Sequence, residues 1–243
     1  MNAAERRLLA LGTEMLTGAG VEDPAADARA LLALFERRAG REPLEYILGT
    51  CSFCGLELLV DARVLIPTEH RTGTLVTPAL EAPRGARVHE VGTGCGAVAL
   101  AIKDARPDLV VTASDISREA IDVARENARR LDLDVEFARA DGLPRGDFDL
   151  VVANLPYTDS DQVTQQLPPE QTQFQPGVAL WAGRDSLALI RRLVEQAPVG
   201  TRLAVEHGPH HTGEMHALLD EAKTLRDARG DERVTVGTAP AAP

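Results

Sequence analysis

A glycine-rich segment carries the first residues whose types and spacing suit chemistry. It runs from Glu90 to Gly96, after an apolar stretch typical of a strand and before a stretch typical of a helix. Glycines in such a loop let a ligand approach the backbone, and a helix start offers free amides and a positive dipole end. The segment predicts a cofactor that carries a carboxylate; the alternative is a tight turn. The expected contacts come from Glu90, Gly92, Thr93, Gly94, Cys95 and Gly96.

An acidic residue, Asp115, ends the next strand. A carboxylate at this place accepts hydrogen bonds from both hydroxyls of a ribose, whereas the alternative is a cap for the helix that begins near Ser117. Because the loop and the acid follow consecutive strands, together they predict a nucleoside cofactor, to which Ile116 also contributes. Asp141 and Gly142 follow the third strand, where they either face an adenine edge or form an ordinary turn.

The tetrapeptide Asn154 to Tyr157, Asn-Leu-Pro-Tyr, follows the apolar strand Phe148–Ala153. Pro156 disfavours the α region for Leu155, so the Leu155 carbonyl is able to turn toward a ligand beside the Asn154 side-chain oxygen. Two acceptors then hold one planar NH₂ group, and Tyr157 stacks on it. We expect all four residues to bind this acceptor nitrogen, Asn154 and Tyr157 to be catalytic, and Asn154 to contact the cofactor as well. The alternative is a strand-ending turn with a core tyrosine.

Alternating strands and helices position these sites. The predicted strands are Val88–Val91, Leu109–Ala113, Val135–Ala138, Phe148–Ala153, Arg202–Glu206 and Arg233–Val236, and the predicted helices are Gly96–Ala105, Ser117–Leu131, Asp185–Ala197 and Met215–Ala222. This alternation indicates an α/β fold with a doubly wound, mostly parallel, Rossmann-like sheet. In such a sheet the strand before the tetrapeptide lies beside the strand before the glycine loop, so both open into one crevice.

The elements before residue 81 are smaller. The patterns predict helices over Ala3–Met15 and Pro24–Arg38, a β-hairpin over Cys51–Val60 and a helix over Arg71–Leu80. We assign residues 1–49 to a small helical N-terminal domain, residues 50–80 to a hairpin and connector, and residues 81–243 to the main domain. The tail after Gly237 is rich in Ala and Pro, which predicts disorder.

Composition narrows the function classes. A formal net charge of −11 disfavours a protein that binds by neutralising phosphates, so nucleic acid is an unlikely partner. Three cysteines fit a reducing compartment, and Cys51 and Cys54 are interpreted as structural. Without an apolar run long enough for a bilayer, or a signal peptide, we expect a cytoplasmic protein with no membrane partner. His207, His210 and His211 are predicted to be solvent-exposed, and no metal site is expected.

Several further segments, with the tetrapeptide, resemble the HemK glutamine methyltransferases, which methylate a glutamine side-chain amide in peptide-chain release factors. The segments are Arg41–Gly49, Phe53–Leu56, Val64–Pro67, Gln175–Leu180, Gly183–Leu187 and Val205–Gly208. The likeness covers nearly the whole chain. It implies a class I methyltransferase sheet with an antiparallel last strand, behind a small helical domain and a hairpin. It also implies S-adenosyl-L-methionine as the cofactor and a release factor or another protein as the partner.

Two departures from the family pattern bear on the acceptor. Leu155 stands where the family usually has proline, and the connector Pro67–Gly73 differs from the usual P-R-x-x-T-E. The leading hypothesis is an N-methyltransferase for a planar amide or similar nitrogen. The second is an enzyme that consumes S-adenosylmethionine on a small-molecule amide or amine in specialised metabolism, and the third is a non-catalytic module. Asn-Leu-Pro-Tyr also resembles the ribosomal-RNA adenine dimethyltransferases, but those proteins are basic and this chain is acidic.

Overall fold

The computed structural model describes residues 1–158 and 167–241. The chain divides into two compact units, Met1–Leu48 and Gly49–Pro243. No helix among the described residues is long and apolar enough to cross a membrane.

Three helices form the first unit: α1 (Ala3–Gly18), α2 (Pro24–Ala39) and α3 (Leu44–Leu48). Asn2 caps α1 in a capping box with Glu5, and the Asp23 side chain accepts from the Ala26 amide 3.1 Å away at the start of α2. These caps satisfy amides that have no partner inside the helix, which explains why both helices begin where the sequence predicts. The α1 helix continues one turn beyond its predicted end at Met15.

The second unit opens with the predicted hairpin, β1 (Thr50–Phe53) and β2 (Leu56–Leu59). Cys54 and Gly55 connect its strands with φ angles of 48° and 81°, the left-handed pair that a two-residue hairpin turn requires. The segment predicted as a helix over Arg71–Leu80 is helical, but it is divided into two α-helices by a 3₁₀ turn. The segment is α4 (Glu69–Thr72), a 3₁₀ turn (Gly73–Val76) and α5 (Thr77–Leu80), since Gly73 is flexible and Pro78 lacks the amide that a continuous helix needs.

A seven-stranded sheet in the order β5-β4-β3-β6-β7-β9-β8 is the centre of this unit. Its strands are β3 (Arg87–Val91), β4 (Val110–Asp115), β5 (Glu136–Arg139), β6 (Leu150–Ala153), β7 (Arg202–Glu206), β8 (Asp220–Arg226) and β9 (Glu232–Thr238). The first five named are parallel, whereas β9 is antiparallel to β7 and to β8. The predicted doubly wound sheet, with β6 directly beside β3, is confirmed.

Helices accompany the sheet, and side chains from both elements form the core. The helices are α6 (Ala97–Ala105), α7 (Arg118–Leu131), α8 (Pro169–Thr172), α9 (Gly177–Leu180), α10 (Ala188–Gln196), a 3₁₀ turn (Pro209–His211) and α11 (Thr212–Leu218). Every residue of β6 is buried, as expected for a central parallel strand covered on both faces. Ile190 and Leu193 of α10 pack in one cluster with Val151 of β6 and Leu203 of β7.

The C-terminal part corrects two predictions. The helix predicted over Met215–Ala222 ends at Leu218, and strand β8, which the sequence analysis missed, begins at Asp220. The tail predicted to be disordered after Gly237 is ordered as far as residue 241, because Thr238 belongs to β9 and the Ala239 amide donates to the Thr201 carbonyl at 2.9 Å. Residues 242–243 lie outside the described part of the chain.

The histidine prediction is wrong for two of its three residues, since only His210 is exposed. His207 is fully buried between β7 and β9, where its ring nitrogens lie 2.7 Å from the Thr235 hydroxyl and 2.9 Å from the Gly208 carbonyl. His211 is buried with a ring nitrogen 3.1 Å from the Ser186 hydroxyl. Hydroxyl and carbonyl groups satisfy both ring nitrogens of His207, which offsets the cost of taking that ring out of water.

Candidate active site

A cavity of about 390 Å³ lies at the carboxyl ends of the parallel strands, within the size range of small-molecule sites. It gathers residues that follow β3, β4, β5 and β6, as expected where strand order reverses in a doubly wound sheet. The predicted residues that line it are Glu90, Gly92, Thr93, Gly94, Cys95, Asp115, Ile116, Asp141, Gly142, Asn154, Leu155 and Pro156. Two predicted residues, Gly96 and Tyr157, are not among the described residues that line it.

The glycine loop connects β3 to α6 with three left-handed glycines, of which Gly94 and Gly96 serve different purposes. At Gly94 a Cβ atom would meet nothing within 4 Å, so its backbone borders open space. At Gly96 a Cβ atom would lie 3.1 Å from Leu100 and 3.2 Å from Ala124, so the absent side chain lets α6 pack closely. Gly94 thus suits the approach of a ligand to the backbone, and Gly96 suits packing.

Glu90 holds the glycine loop in shape through two hydrogen bonds. Its Oε2 atom accepts from the Thr93 hydroxyl at 2.6 Å and from the Ala99 amide at 2.9 Å. Burial raises the pKa of this carboxyl to about 8, although both hydrogen bonds act to lower it. Burial likewise raises the pKa of the Cys95 thiol far above its ordinary value, so Cys95 is a neutral filler with no thiolate to offer. Asn127 of α7 donates to the Cys95 carbonyl at 2.9 Å and joins the loop to the hairpin through Leu59.

Asp115 ends β4 beside the glycine loop. Its Oδ2 atom accepts from the Gly94 amide and its Oδ1 atom from the Ser117 amide, both at 2.9 Å. Ser117, and not Asp115, caps α7 by accepting from the Ala120 amide at 3.2 Å, so the capping alternative for Asp115 is wrong. Burial raises the pKa of Asp115. Because each carboxylate oxygen has a second lone pair, Asp115 retains capacity for two ribose hydroxyls.

The α10 helix contributes residues that the sequence analysis missed. Arg192 lines the cavity and pairs with Asp141 at 2.8 Å, which lowers the pKa of that carboxyl. Gln196 accepts from the Leu143 amide at 2.9 Å, and its side chain occupies the space that a Cβ atom at Gly142 would need. Both contacts join residues more than fifty positions apart, so no local pattern predicts them.

The tetrapeptide leaves β6 toward the cavity. Asn154 is half-buried and its Nδ2 atom donates to the Thr72 hydroxyl at 3.3 Å, while a Cβ atom at Gly92 would lie 3.0 Å from the Leu155 side chain. The Tyr157 hydroxyl donates to Glu206 Oε1 at 3.2 Å, and its ring packs against the core cluster. Burial raises the pKa of Tyr157 to about 12, so the phenol keeps its proton.

Comparison with known proteins places these features in a family. The family described as methyltransferase small domain matches residues 70–171. A release factor glutamine methyltransferase of Deinococcus radiodurans is 37% identical over 93% of this chain and 94% of its own length. Another, from Neisseria gonorrhoeae, is 35% identical over 92% of this chain and 86% of its own.

Two solved structures share the fold. The hMettl16 catalytic domain in complex with the MAT2A 3′UTR hairpin 6 has a TM-score of 0.59 and 13% identity, covering 91% of this chain and 83% of its own. A methyltransferase from Pyrococcus furiosus has a TM-score of 0.52 and 17% identity, covering 77% of this chain and 90% of its own. At these identities the likeness shows the fold alone.

The sheet shows the class I methyltransferase fold, and the family match and the near full-length relatives define the chain as an S-adenosylmethionine-dependent methyltransferase. Within that class the chain belongs to the HemK-type family, to which its near full-length relatives belong. It is an N-methyltransferase that uses S-adenosyl-L-methionine as its methyl donor. The described site fits this cofactor, because it has open space beside the Gly94 backbone and a half-buried carboxylate at the next strand end.

Proposed function

We propose that this chain methylates the side-chain amide nitrogen of a glutamine in a peptide-chain release factor. The observation that carries the proposal is the position of Asn154, at the end of β6 and in the same cavity as the glycine loop. The relatives that match nearly the whole chain are named as release factor glutamine methyltransferases, which supports this acceptor. Such a substrate would place the enzyme in the cytoplasm, where translation ends.

The cofactor contacts are part of this proposal. Gly92 to Gly96 would receive the carboxylate-bearing end of S-adenosylmethionine at the backbone, with Glu90 holding the loop in shape. Asp115 would accept from the ribose hydroxyls, and Asp141 with Gly142 and Ile116 would border the adenine. When bound, the cofactor supplies an electrophilic methyl group on a positively charged sulfur.

The acceptor contacts come from the tetrapeptide. Since Asn154 Nδ2 is directed at Thr72, its Oδ1 atom is the end available to a substrate NH₂ group. The Leu155 carbonyl would be the second acceptor, and Pro156 would border the acceptor beside it. Stacking of the Tyr157 ring on the amide stays a prediction, although its hydroxyl bond to Glu206 anchors the end of this loop. An amide nitrogen is a poor nucleophile, so the rate would come chiefly from placement, worth roughly 7 to 11 kcal/mol at best.

A transfer assay tests the proposed acceptor. The enzyme is incubated with methyl-labelled S-adenosylmethionine and a purified release factor, beside a factor in which the target glutamine is replaced by glutamate. We expect label in the first factor alone, and mass spectrometry should find one added methyl on the glutamine side chain.

The assay also separates the other hypotheses. Label that stays out of protein when a cell extract is supplied, and appears in a small molecule, would replace the release factor by an acceptor from specialised metabolism. Label in RNA would favour the adenine-methyltransferase interpretation. Cofactor binding without transfer to any fraction would contradict the assignment of the acceptor site.

A further inference from the structure

The Asn154 amide rests against a buried threonine that the family assignment does not explain. We infer that Thr72 is a positioning residue, which fixes the Asn154 amide so that its oxygen, and not its NH₂ group, faces the methyl acceptor. This inference rests on the proposed role of Asn154 in binding the acceptor.

Thr72 makes the direct contact with Asn154. It ends α4, is 7% exposed and borders the cavity, and its hydroxyl oxygen accepts from Asn154 Nδ2 at 3.3 Å. A side-chain amide has one donor end and one acceptor end, so holding Nδ2 on one side presents Oδ1 on the other. In the reversed orientation, Asn154 would offer N–H groups to a substrate NH₂ group, and no hydrogen bond would form between two donors.

Glu206 is a buried acidic residue near Thr72 and the tetrapeptide. It ends β7, is 2% exposed, and its Oε2 atom is buried with no hydrogen-bond partner of normal geometry among the described residues. Burial raises the pKa of Glu206, and the Thr72 hydroxyl is the first of the neighbours that lower it, followed by Arg71.

The same carboxylate also holds the far end of the tetrapeptide. Glu206 Oε1 accepts from the Tyr157 hydroxyl at 3.2 Å. The strands β6 and β7 are parallel neighbours in which Ala153 is paired with Val205, so Asn154 and Glu206 are the next residues at the two strand ends. Two different residues therefore hold the ends of the tetrapeptide, Thr72 at Asn154 and Glu206 at Tyr157.

A comparison of Thr72→Val with Thr72→Ser tests the hydroxyl. Valine keeps the shape of threonine and removes its hydroxyl, whereas serine keeps the hydroxyl. We expect Thr72→Val to lower kcat by roughly 10-fold to 100-fold, with KM and the affinity for S-adenosylhomocysteine changed less than about threefold, and Thr72→Ser to restore most of kcat. Equal melting temperatures exclude a folding defect. Wild-type kcat in Thr72→Val, or an equal loss in both variants, would overturn the inference.

A double-variant cycle shows whether Thr72 acts through Asn154. When two residues act as one unit, replacing both lowers the rate no more than replacing one of them. Adding Thr72→Val to Asn154→Ala should therefore leave the residual rate nearly unchanged. A full additional loss of rate in the Asn154→Ala background would show that Thr72 does not act through Asn154.

A spectroscopic measurement tests the hydrogen bond between Thr72 and Asn154 without any methyl acceptor. The side-chain NH₂ resonances of Asn154 are identified by their absence in Asn154→Ala, and their exchange with water is compared between variants. Exchange should be several-fold faster in Thr72→Val than in the parent or Thr72→Ser; unchanged exchange would overturn the inference. Failure of the parent enzyme to methylate a release factor would instead count against the proposed acceptor alone.

Discussion

Asp115 is bound on both of its oxygens by the backbone, yet each oxygen retains a lone pair toward the cavity. Replacing it by alanine should weaken S-adenosylmethionine binding by roughly 1.5 to 3 kcal/mol, the scale of hydrogen bonds to a charged group. Calorimetry measures this loss directly. Asp104→Ala removes an equal charge from an exposed position on α6 and serves as the control. Cofactor binding as tight in Asp115→Ala as in the parent would contradict the ribose assignment.

Glu90 makes the stability of the folded protein depend on pH. Its pKa is about 8 in the folded protein against an ordinary 4.5, so the folded state binds the proton more tightly than the unfolded state does. Its contribution to stability is therefore complete below about pH 4.5 and is lost as pH rises toward 8. Glu90→Gln keeps an acceptor for Thr93 and Ala99 without titrating.

Urea unfolding of both proteins at several pH values measures this effect. The free energy of unfolding of the parent, minus that of Glu90→Gln, should fall by at least about 1 kcal/mol between pH 5 and pH 8. His89, whose pKa burial lowers to about 4, is present in both proteins and cancels in the difference. A difference that is constant or rises with pH would show that Glu90 is ionised in the folded protein.

At the residue scale, the sequence predicts groups that follow strands and misses groups that reach the site from elsewhere. Asp115 and Asn154 are predictable because each comes directly after an apolar strand. Thr72 is not, since its contact with Asn154 joins residues 82 positions apart. The connector Pro67–Gly73, which contains Thr72, departs from the family pattern in the sequence.

At the scale of elements, the turn from β3 into α6 depends on glycine for packing. Gly94 and Gly96 both have positive φ angles, 55° and 88°, so an alanine at either position is strained. An added Cβ atom crowds Leu100, Ala124 and Phe137 only at Gly96. Without cofactor, Gly96→Ala should lower the free energy of unfolding by about 1 to 3 kcal/mol more than Gly94→Ala, the usual cost of overpacking. Equal losses of unfolding free energy in the two variants, measured with denaturant, would contradict the packing role of Gly96.

Elements with strong apolar patterns are predicted well, and those held by tertiary contacts are not. The strand β6 has a continuous apolar sequence and matches its prediction within two residues. The strand β8 reads Asp-Glu-Ala-Lys-Thr-Leu-Arg, which favours no strand by itself, and it forms because β9 supplies the hydrogen-bond partners. His207 is buried for a related reason, since β9 covers the end of β7 and offers the Thr235 hydroxyl.

At the scale of the whole molecule, the order of the strands in the sheet brings the residues of the site together. The β3 strand lies between β4 and β6, so the glycine loop, Asp115 and Asn154 meet at one edge although up to 64 positions separate Glu90 from Asn154. The sequence predicts this order from the alternation of strands and helices. In the proposed function, Asn154 is the residue that connects the cofactor cavity to the acceptor.

The most direct measurement is turnover of Asn154→Ala, with its melting temperature and cofactor affinity measured on the same preparation. We expect both stability and affinity to stay nearly unchanged, because Asn154 is half-buried and its described hydrogen bond is the 3.3 Å contact with Thr72. Turnover on the methyl acceptor should fall by about a hundredfold or more, the scale of losing one preorganised polar contact. Undiminished turnover in a folded Asn154→Ala protein would contradict the positioning mechanism, and collapse of the fold would show that the tetrapeptide is structural.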